Sequence, residues 1–244
     1  MSKYKHSEKV HNLESPSQIV PVILNLIRPK SVVDFGCGIG TFLHVFKNYG
    51  VSDILGLDGK WVDKELLCKY ILPQEFKEVN LEEPISLTKK YDLAISLEVA
   101  EHLSEQSAEI LVKNLVNSSN RIIFSAAIPN QGGQNHINEQ PLTYWEELFN
   151  KVGFELHDCL RPVLWDNSEV FCWYKQNMVL FTPKGSSLNI PITKVFPRNI
   201  VHPDLLAIRA RDSVKINNPT IRLSFKLLVK SILGIPLRLF RKRE

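Results

Sequence analysis

Short runs of aliphatic and β-branched residues alternate with amphipathic stretches along most of the chain. The runs predict strands over residues 31–35, 53–57, 76–79, 91–97, 121–127, 154–159 and 177–181. The amphipathic stretches predict helices over 18–27, 41–48, 62–70, 105–116 and 141–151, the first capped by Ser15-Pro16. This alternation is typical of an α/β fold, a doubly wound, Rossmann-like, seven-stranded and mostly parallel sheet with helices on both faces. A C-terminal extension follows it.

The pattern divides the chain into three parts. Residues 1–183 form the α/β domain, and 184–220, which contains four prolines after position 190, forms a connector or accessory element. Residues 221–244 form a basic amphipathic tail, in which Arg222, Lys226 and Lys230 recur every four residues among leucines. Such a helix fits an anionic membrane surface. The open alternatives are that its apolar face packs on the domain or on a second copy of the chain, as a homo-oligomer.

Charge and cysteine content narrow the class of protein. The formal net charge is +4, but residues 221–244 hold seven basic side chains and one acidic one, which leaves 23 basic and 25 acidic residues elsewhere. A nearly neutral body argues against DNA and disfavours RNA as a partner, because nucleic-acid-binding folds spread positive charge over the binding face. Four cysteines without a C-x-x-C pair, and an N-terminus without an apolar run, predict a cytoplasmic protein with no structural zinc.

A glycine-rich turn follows the first predicted strand. Residues 32–41 read Val-Val-Asp-Phe-Gly-Cys-Gly-Ile-Gly-Thr, and glycines at a strand-to-helix turn let the backbone approach a ligand closely. Asp58 ends the next strand, at the interval where a carboxylate can take a ribose hydroxyl pair. The glycine spacing departs from the dinucleotide pattern and offers no pyrophosphate cradle.

These motifs resemble those of the class I S-adenosylmethionine-dependent methyltransferases. The resemblance rests on D-F-G-C-G-I-G-T at 34–41, G-L-D-G at 56–59 and Y-D-L-A-I-S-L-E at 91–98, and it covers residues 16–182. It implies S-adenosylmethionine as cofactor, with methionine, ribose and adenine contacts made by Asp34, Gly36, Cys37, Gly38, Gly40, Asp58, Gly59, Trp61, Val62, Asn80, Leu81 and Leu97. For Trp61 a packed surface aromatic remains open, and for the whole set a dehydrogenase or non-binding domain is the alternative.

A candidate metal site follows the fourth strand. Glu98, Glu101 and His102 share one face if a helical turn begins there, and His136 follows strand five. The E-x-x-E-H pattern with a distant H-x-x-E resembles metal-dependent 2′-O-methyltransferases of small RNA ends, and E-x-x-E-H also resembles ubiquinone-pathway O-methyltransferases. The resemblance implies that all four bind Mg²⁺ or Mn²⁺, with His136, Glu101 and His102 catalytic. Alternatively Glu98 is cofactor-pocket wall, Glu101 and His102 cap a helix, and His136 is a general base.

The segment from 124 to 145 predicts a mobile lid, because it carries Gly132-Gly133 among polar residues. Together with aromatic and polar residues further on, it resembles bacterial methyltransferases of surface-polysaccharide gene clusters. This implies O-methylation of a sugar in a cell-surface glycan or its precursor. The candidate sugar contacts are Arg161, Trp165, Trp173, Tyr174, Gln176 and Asn177, for which packing in the core is the alternative. Rival functions are an RNA 2′-O-methyltransferase and a non-catalytic cofactor-binding partner subunit.

Overall fold

The computed structural model describes residues 11–186, 196–217 and 220, together with Ile221, Ser224 and Leu228. The chain divides into two compact units, Met1–His202 and Pro203–Glu244. The first unit carries the sheet and all the candidate site residues.

One seven-stranded sheet organises the first unit, in the order β3-β2-β1-β4-β5-β7-β6. The strands are β1 (Ser31–Phe35), β2 (Asp53–Asp58), β3 (Phe76–Glu78), β4 (Leu93–Leu97), β5 (Ile122–Ser125), β6 (Phe154–His157) and β7 (Val179–Pro183). Only β7 runs antiparallel to its neighbours. The predicted mostly parallel, doubly wound sheet is therefore confirmed.

Helices cover both faces of the sheet. They are α1 (Glu14–Ile27), α2 (Thr41–Asn48), α3 (Lys64–Leu67), α4 (Ala108–Ser118), α5 (Leu142–Lys151), α6 (Arg161–Leu164) and α7 (Cys172–Asn177). One apolar layer packs the sheet against α1 and α2, and the other packs it against α4 and α5. Strands β1 and β4 are buried at every position, as expected of central strands covered on both faces.

Several predicted boundaries were wrong for tertiary reasons. Helix α1 begins at Glu14, and the hydroxyl of Ser15 does not cap it but accepts a hydrogen bond from the Phe171 amide at 2.9 Å. Helix α3 is a single turn capped by Asp63, shorter than the predicted 62–70. The short helices α6 and α7 were missed, because four- and six-residue helices carry too little periodicity to show in a sequence.

The C-terminal part contains a helix that the sequence left unassigned. Residues Pro203–Asn217 form α8, in which Arg209 Nη1 lies 3.4 Å from Asp212 Oδ2. The middle of the predicted connector, 187–195, lies outside the described residues, as does the predicted basic tail apart from Ile221, Ser224 and Leu228. Within the described part of the chain, no helix combines the length and apolar character that a bilayer crossing requires.

Candidate active site

The glycine-rich turn lies at the carboxyl end of β1, where it begins α2. Gly36, Gly38 and Gly40 adopt φ values of +88°, +54° and +85°, which L side chains rarely tolerate. A Cβ on Gly36 would lie 2.3 Å from a methyl carbon of Val99. Backbone conformation therefore requires glycine at all three positions, and close packing requires it at Gly36 as well.

Asp58 joins this turn to the end of β2. Its carboxylate accepts hydrogen bonds from the amides of Gly38 at 2.8 Å and Gly59 at 2.6 Å. Burial raises the pKa of Asp58 to about 6, although these amides and the Trp61 side chain pull it down. Burial, and then repulsion from Asp58, raise the pKa of Asp34 well above its ordinary value. Two buried acids thus face one crevice.

The remaining predicted cofactor residues have mixed surroundings. Trp61 is half-buried, and its ring would lie 2.3 Å from a Cβ on Gly59. Val62 and Leu97 belong to the core layer, as does the buried Leu81 on the opposite face. Cys37 is buried too, and burial is the main cause that raises the pKa of its thiol well above the usual range.

Asn80 is exposed and occupied by local contacts. Its side-chain amide donates to Glu83 at 2.8 Å, and its carbonyl oxygen accepts from the Glu82 amide at 3.1 Å. These bonds order the turn after β3, on which Leu81 enters the core. The structure thus places Asn80 and Leu81 in a rigid turn beside the end of β2.

Three of the four predicted metal ligands come together at the ends of β4 and β5. One ligand atom from each of Glu101, His102 and His136 lies within 4.8 Å of the others. The two imidazole rings meet edge to face with centroids 4.8 Å apart, and His136 Nε2 lies 4.0 Å from Glu101 Oε1. A carboxylate and two imidazoles suit a divalent cation.

The Glu101 carboxylate is an unpaired buried acid. Its side chain is 1% exposed, and neither oxygen has a hydrogen-bond partner, although the Glu101 and Ala127 amides lie near enough to lower its pKa. Burial, followed by the charges of Glu98 and Glu139, outweighs them and raises that pKa well above its usual range. Isolated buried carboxylates are costly, so this group needs a cation or a proton in place.

Both histidines are held in states that suit a ligand. Burial, and then the nearby His136, lower the pKa of His102 to about 4, so its imidazole is neutral at physiological pH. The Nδ1 of His136 lies 2.8 Å from Glu139, whose carboxylate also accepts from the amides of Asn130 and Gly132. The other ring nitrogen of His136, Nε2, lies 4.0 Å from Glu101 Oε1. The sequence analysis assigned no role to Glu139, although the H-x-x-E spacing places it three residues after His136.

Glu98 does not join this cluster. Only Ala100–His102 form a short 3₁₀ turn, and Glu98 precedes it in a left-handed conformation with φ of +56°, so the predicted shared helical face does not form. The Glu98 carboxylate accepts instead from the side-chain amides of Gln131 at 2.7 Å and Asn177 at 3.1 Å. Nothing in the sequence pattern pointed to Gln131.

Most candidate sugar contacts are occupied by the protein itself. Arg161 is 1% exposed and bonds Asp158 and the carbonyls of Pro197 and Arg198. Trp165 stacks on Phe196, and Gln176 and Asn177 are buried in hydrogen bonds. Trp165, Trp173 and Tyr174 are half-buried. The core interpretation thus holds for Arg161, Gln176 and Asn177, and the sequence could not show it because each has partners distant along the chain.

Comparisons with known proteins agree with this fold. Residues 10–118 match the sequence model of a family described as a methyltransferase domain. None of the curated proteins matches closely enough to count as a relative. Because the matched region holds the glycine-rich turn, Asp58 and the acid-histidine motif, it includes most of the site built above.

Solved structures of methyltransferases share the fold. The methyltransferase domain of bacterial CtHen1-CN is 19% identical, with 70% of this chain and 100% of that one covered and a TM-score of 0.50. DesVI of Streptomyces venezuelae is 12% identical, with 74% of this chain and 100% of that one covered and a TM-score of 0.57. The small RNA methyltransferase HEN1 is 17% identical, with 71% of this chain and 26% of that one covered and a TM-score of 0.52. Residues 10–118 thus match a methyltransferase-domain family, and the solved structures show that the chain shares its fold with methyltransferases.

Proposed function

We propose that the chain transfers the methyl group of S-adenosylmethionine to a hydroxyl of a sugar, in a cell-surface glycan or its lipid-linked or nucleotide-linked precursor. The proposal of a hydroxyl acceptor rests on the Glu101 carboxylate, which is buried, has no hydrogen-bond partner and lies beside two imidazoles. The cluster lies at the same edge of the sheet as the glycine-rich turn, where open α/β sheets bind their ligands.

The donor side uses the buried acids and the turn. Asp58 takes the ribose hydroxyls with the acceptor capacity that the Gly38 and Gly59 amides leave free, since a carboxylate has about four lone-pair sites. The methionine part of S-adenosylmethionine binds against the glycine-rich turn, beside Asp34. Trp61, half-buried over Gly59, flanks the adenine. These roles follow the motif positions of the family.

The acceptor side suits a divalent ion such as Mg²⁺ or Mn²⁺. Glu101, His102 and His136 would hold it, because their atoms already converge and Glu101 lacks any other partner. Such an ion would supply acidity to the acceptor hydroxyl. Glu139 keeps the ring of His136 oriented through Nδ1. In the transfer, the carbon–sulfur bond breaks, a carbon–oxygen bond forms, the hydroxyl proton passes to solvent water and the sulfonium becomes a neutral thioether.

His136 offers a second route without an ion. Its Nε2 faces the site while Nδ1 is bonded to Glu139, so it can take the hydroxyl proton as a general base. Dependence of the activity on Mn²⁺ separates the two routes. A metal-independent enzyme that still needs His136 would support the general base.

The choice of a sugar acceptor rests on chemistry and charge. Vicinal hydroxyls are what the cluster would grip, and both glycans and RNA 3′ ends have them. The body outside residues 221–244 holds 23 basic and 25 acidic residues, which suits a sugar better than a polyanion. The basic tail would keep the enzyme at the inner face of the membrane, where such glycans are assembled.

Labelled methyl transfer tests the acceptor directly. Protein with Mn²⁺ and methyl-labelled S-adenosylmethionine is given bacterial polysaccharide and lipid-linked precursors in one arm and short RNA in the other. We expect label in the carbohydrate fraction and at most background in RNA. Label in RNA alone would replace the proposal by an RNA 2′-O-methyltransferase, and S-adenosylhomocysteine binding with no label in either, in any complex, would favour a non-catalytic partner subunit.

Donor affinity is expected to fall in acid. A carboxylate accepts ribose hydroxyls best when ionised, and the pKa of Asp58 is raised to about 6. Between pH 7 and pH 5 the ionised fraction falls about tenfold, so the Kd for S-adenosylhomocysteine should rise about tenfold. Stability of the ligand-free protein changes with the opposite sign, since the raised pKa makes folding less favourable as pH rises from 3.8 to about 6.

Calorimetry at several pH values measures this change. Asp58→Asn cannot ionise and is the control, for which the pH dependence should largely flatten. An unchanged slope in Asp58→Asn would assign the effect to another acid, with Asp34 first in line.

A further inference from the structure

Glu98 occupies a conformation that its surroundings must maintain. It is the first residue after β4 and one of four non-glycine residues with positive φ in the described chain. Its amide donates to the carbonyl oxygen of Ser125 at 3.0 Å and to the hydroxyl of Ser125 at 3.1 Å. Left-handed backbone at a glutamate is unfavourable, and such outliers persist where the tertiary structure fixes them, often at functional sites.

The Glu98 carboxylate is the acceptor of a buried amide pair. Gln131 Nε2 donates to Glu98 Oε2 at 2.7 Å and Asn177 Nδ2 to Glu98 Oε1 at 3.1 Å. Asn177 Nδ2 also donates to Gln131 Oε1 at 2.9 Å, which closes the triangle. Gln131 is 5% exposed and Asn177 4% exposed, so neither amide has water as a substitute partner.

This triangle connects three parts of the fold. Glu98 directly follows β4, Gln131 lies on residues 128–139 of the predicted lid, and Asn177 ends α7. Gln131 Oε1 accepts from the Ile128 amide, and Gln176, next to Asn177, accepts from the amide of His202 at 2.7 Å. The same segment carries His136, five residues after Gln131, and the amides of Ile137 and Asn138 donate to the carbonyl oxygen of Glu101.

Glu98 and Glu101 therefore differ in kind. Glu101 has both oxygens unpaired, whereas Glu98 already satisfies two buried donors. Swinging Glu98 to an ion would leave the Gln131 and Asn177 amides unpaired, at the full cost of desolvation. We propose that Glu98 is a positioning residue, which holds Gln131 and Asn177 so that the lid presents His136 to Glu101 and His102. The inference rests on the proposed function of that cluster.

An exchange of the two side chains tests this role. In Glu98→Gln one amide group must face another amide donor, so the triangle loses a hydrogen bond. In the double variant Glu98→Gln with Gln131→Glu, the new carboxylate at 131 can accept from residue 98, from Asn177 and from Ile128, so every donor regains a partner. The matched control is Glu98→Gln with Gln134→Glu, which has the same composition but places the acid at an exposed lid position.

Two measurements on each variant distinguish the roles. Hydrogen exchange over residues 128–139, in protein without metal or cofactor, should accelerate about tenfold or more in Glu98→Gln, return to within about threefold of the parent in the exchanged variant, and stay fast in the control. Mn²⁺ affinity by calorimetry should stay within about threefold of the parent in the exchanged variant. Methyl-transfer activity should fall in variants in which hydrogen exchange over residues 128–139 accelerates, and should recover where that exchange slows again.

Other outcomes overturn the proposal. Unchanged lid exchange in Glu98→Gln, or no recovery in the exchanged variant, would show that the triangle does not hold the lid. Recovery of lid exchange with Mn²⁺ affinity still lost would make Glu98 a metal ligand. If the parent itself binds no Mn²⁺, the metal part of the proposed function fails. The hydrogen-exchange measurement over residues 128–139 still decides the role of Glu98.

Discussion

Glu101→Gln is expected to abolish methyl transfer while making the metal-free protein more stable. The substitution removes the one anionic ligand of the cluster, so activity should fall by about 1,000-fold or more. It also removes a buried charge that has no hydrogen-bond partner, a penalty of about 2 kcal/mol or more. For a chain of this size the gain corresponds to about 4–8 °C in Tm.

Thermal unfolding with and without Mn²⁺ measures both effects. Mn²⁺ should raise the Tm of the parent, because an ion bound only by the folded state adds its binding free energy to stability, and it should not raise that of Glu101→Gln. Glu105→Gln, an exposed acid four residues on, is the control for the loss of charge. Methyl transfer near the parent rate in Glu101→Gln would exclude this carboxylate from the reaction.

The second large effect is expected at the donor site. Asp58→Ala removes the acceptor of two buried amide bonds as well as the group proposed to hold the ribose. Charge-assisted hydrogen bonds contribute about 1.5–3 kcal/mol each, so the Kd for S-adenosylhomocysteine should rise about 100-fold or more. Unfolding in urea should show a loss of about 1–3 kcal/mol, since the Gly38 and Gly59 amides lose their partner.

Asp53→Ala provides the matched comparison. Asp53 begins the same strand at its other end, where it is exposed and paired with Lys89, so its loss should leave donor affinity within about twofold of the parent. Circular dichroism shows whether each variant is folded before calorimetry. Undiminished affinity in a folded Asp58→Ala would remove Asp58 from the donor site, and with it the interpretation of the motif at 56–59.

The proximity of the glycine-rich turn and Asp58 was readable from sequence because its determinants are local. Gly36, Gly38 and Gly40 stand at a strand-to-helix turn where positive φ is needed, and Asp58 comes one strand later. The register of β1 against β2 is parallel and in step, with Phe35 opposite Leu57, so the turn and the acid meet by strand pairing alone. Spacing along the chain is then sufficient to predict proximity.

The cluster at the ends of β4 and β5 and the candidate sugar contacts could be predicted from the sequence only in part. The sequence brought Glu101, His102 and His136 together correctly, because the ends of neighbouring parallel strands meet at one edge. It misplaced Glu98, whose direction is set by a left-handed φ and by amides 33 and 79 residues away. It likewise proposed Arg161 as a sugar contact, although Asp158 and two carbonyls of a later segment occupy it.

The sequence by itself thus determined the order of the seven strands and of the longer helices between them, and the glycine-rich turn, since each follows from residue periodicity and short spacing. Only the tertiary structure decided which carboxylate is left without a partner. Glu98 and Glu101 are chemically identical and three residues apart. The carboxylate of Glu98 accepts hydrogen bonds from Gln131 and Asn177, whereas neither carboxylate oxygen of Glu101 has a hydrogen-bond partner in the described chain. Hydrogen-bond satisfaction depends on distant segments that packing brings together, and no local pattern encodes it.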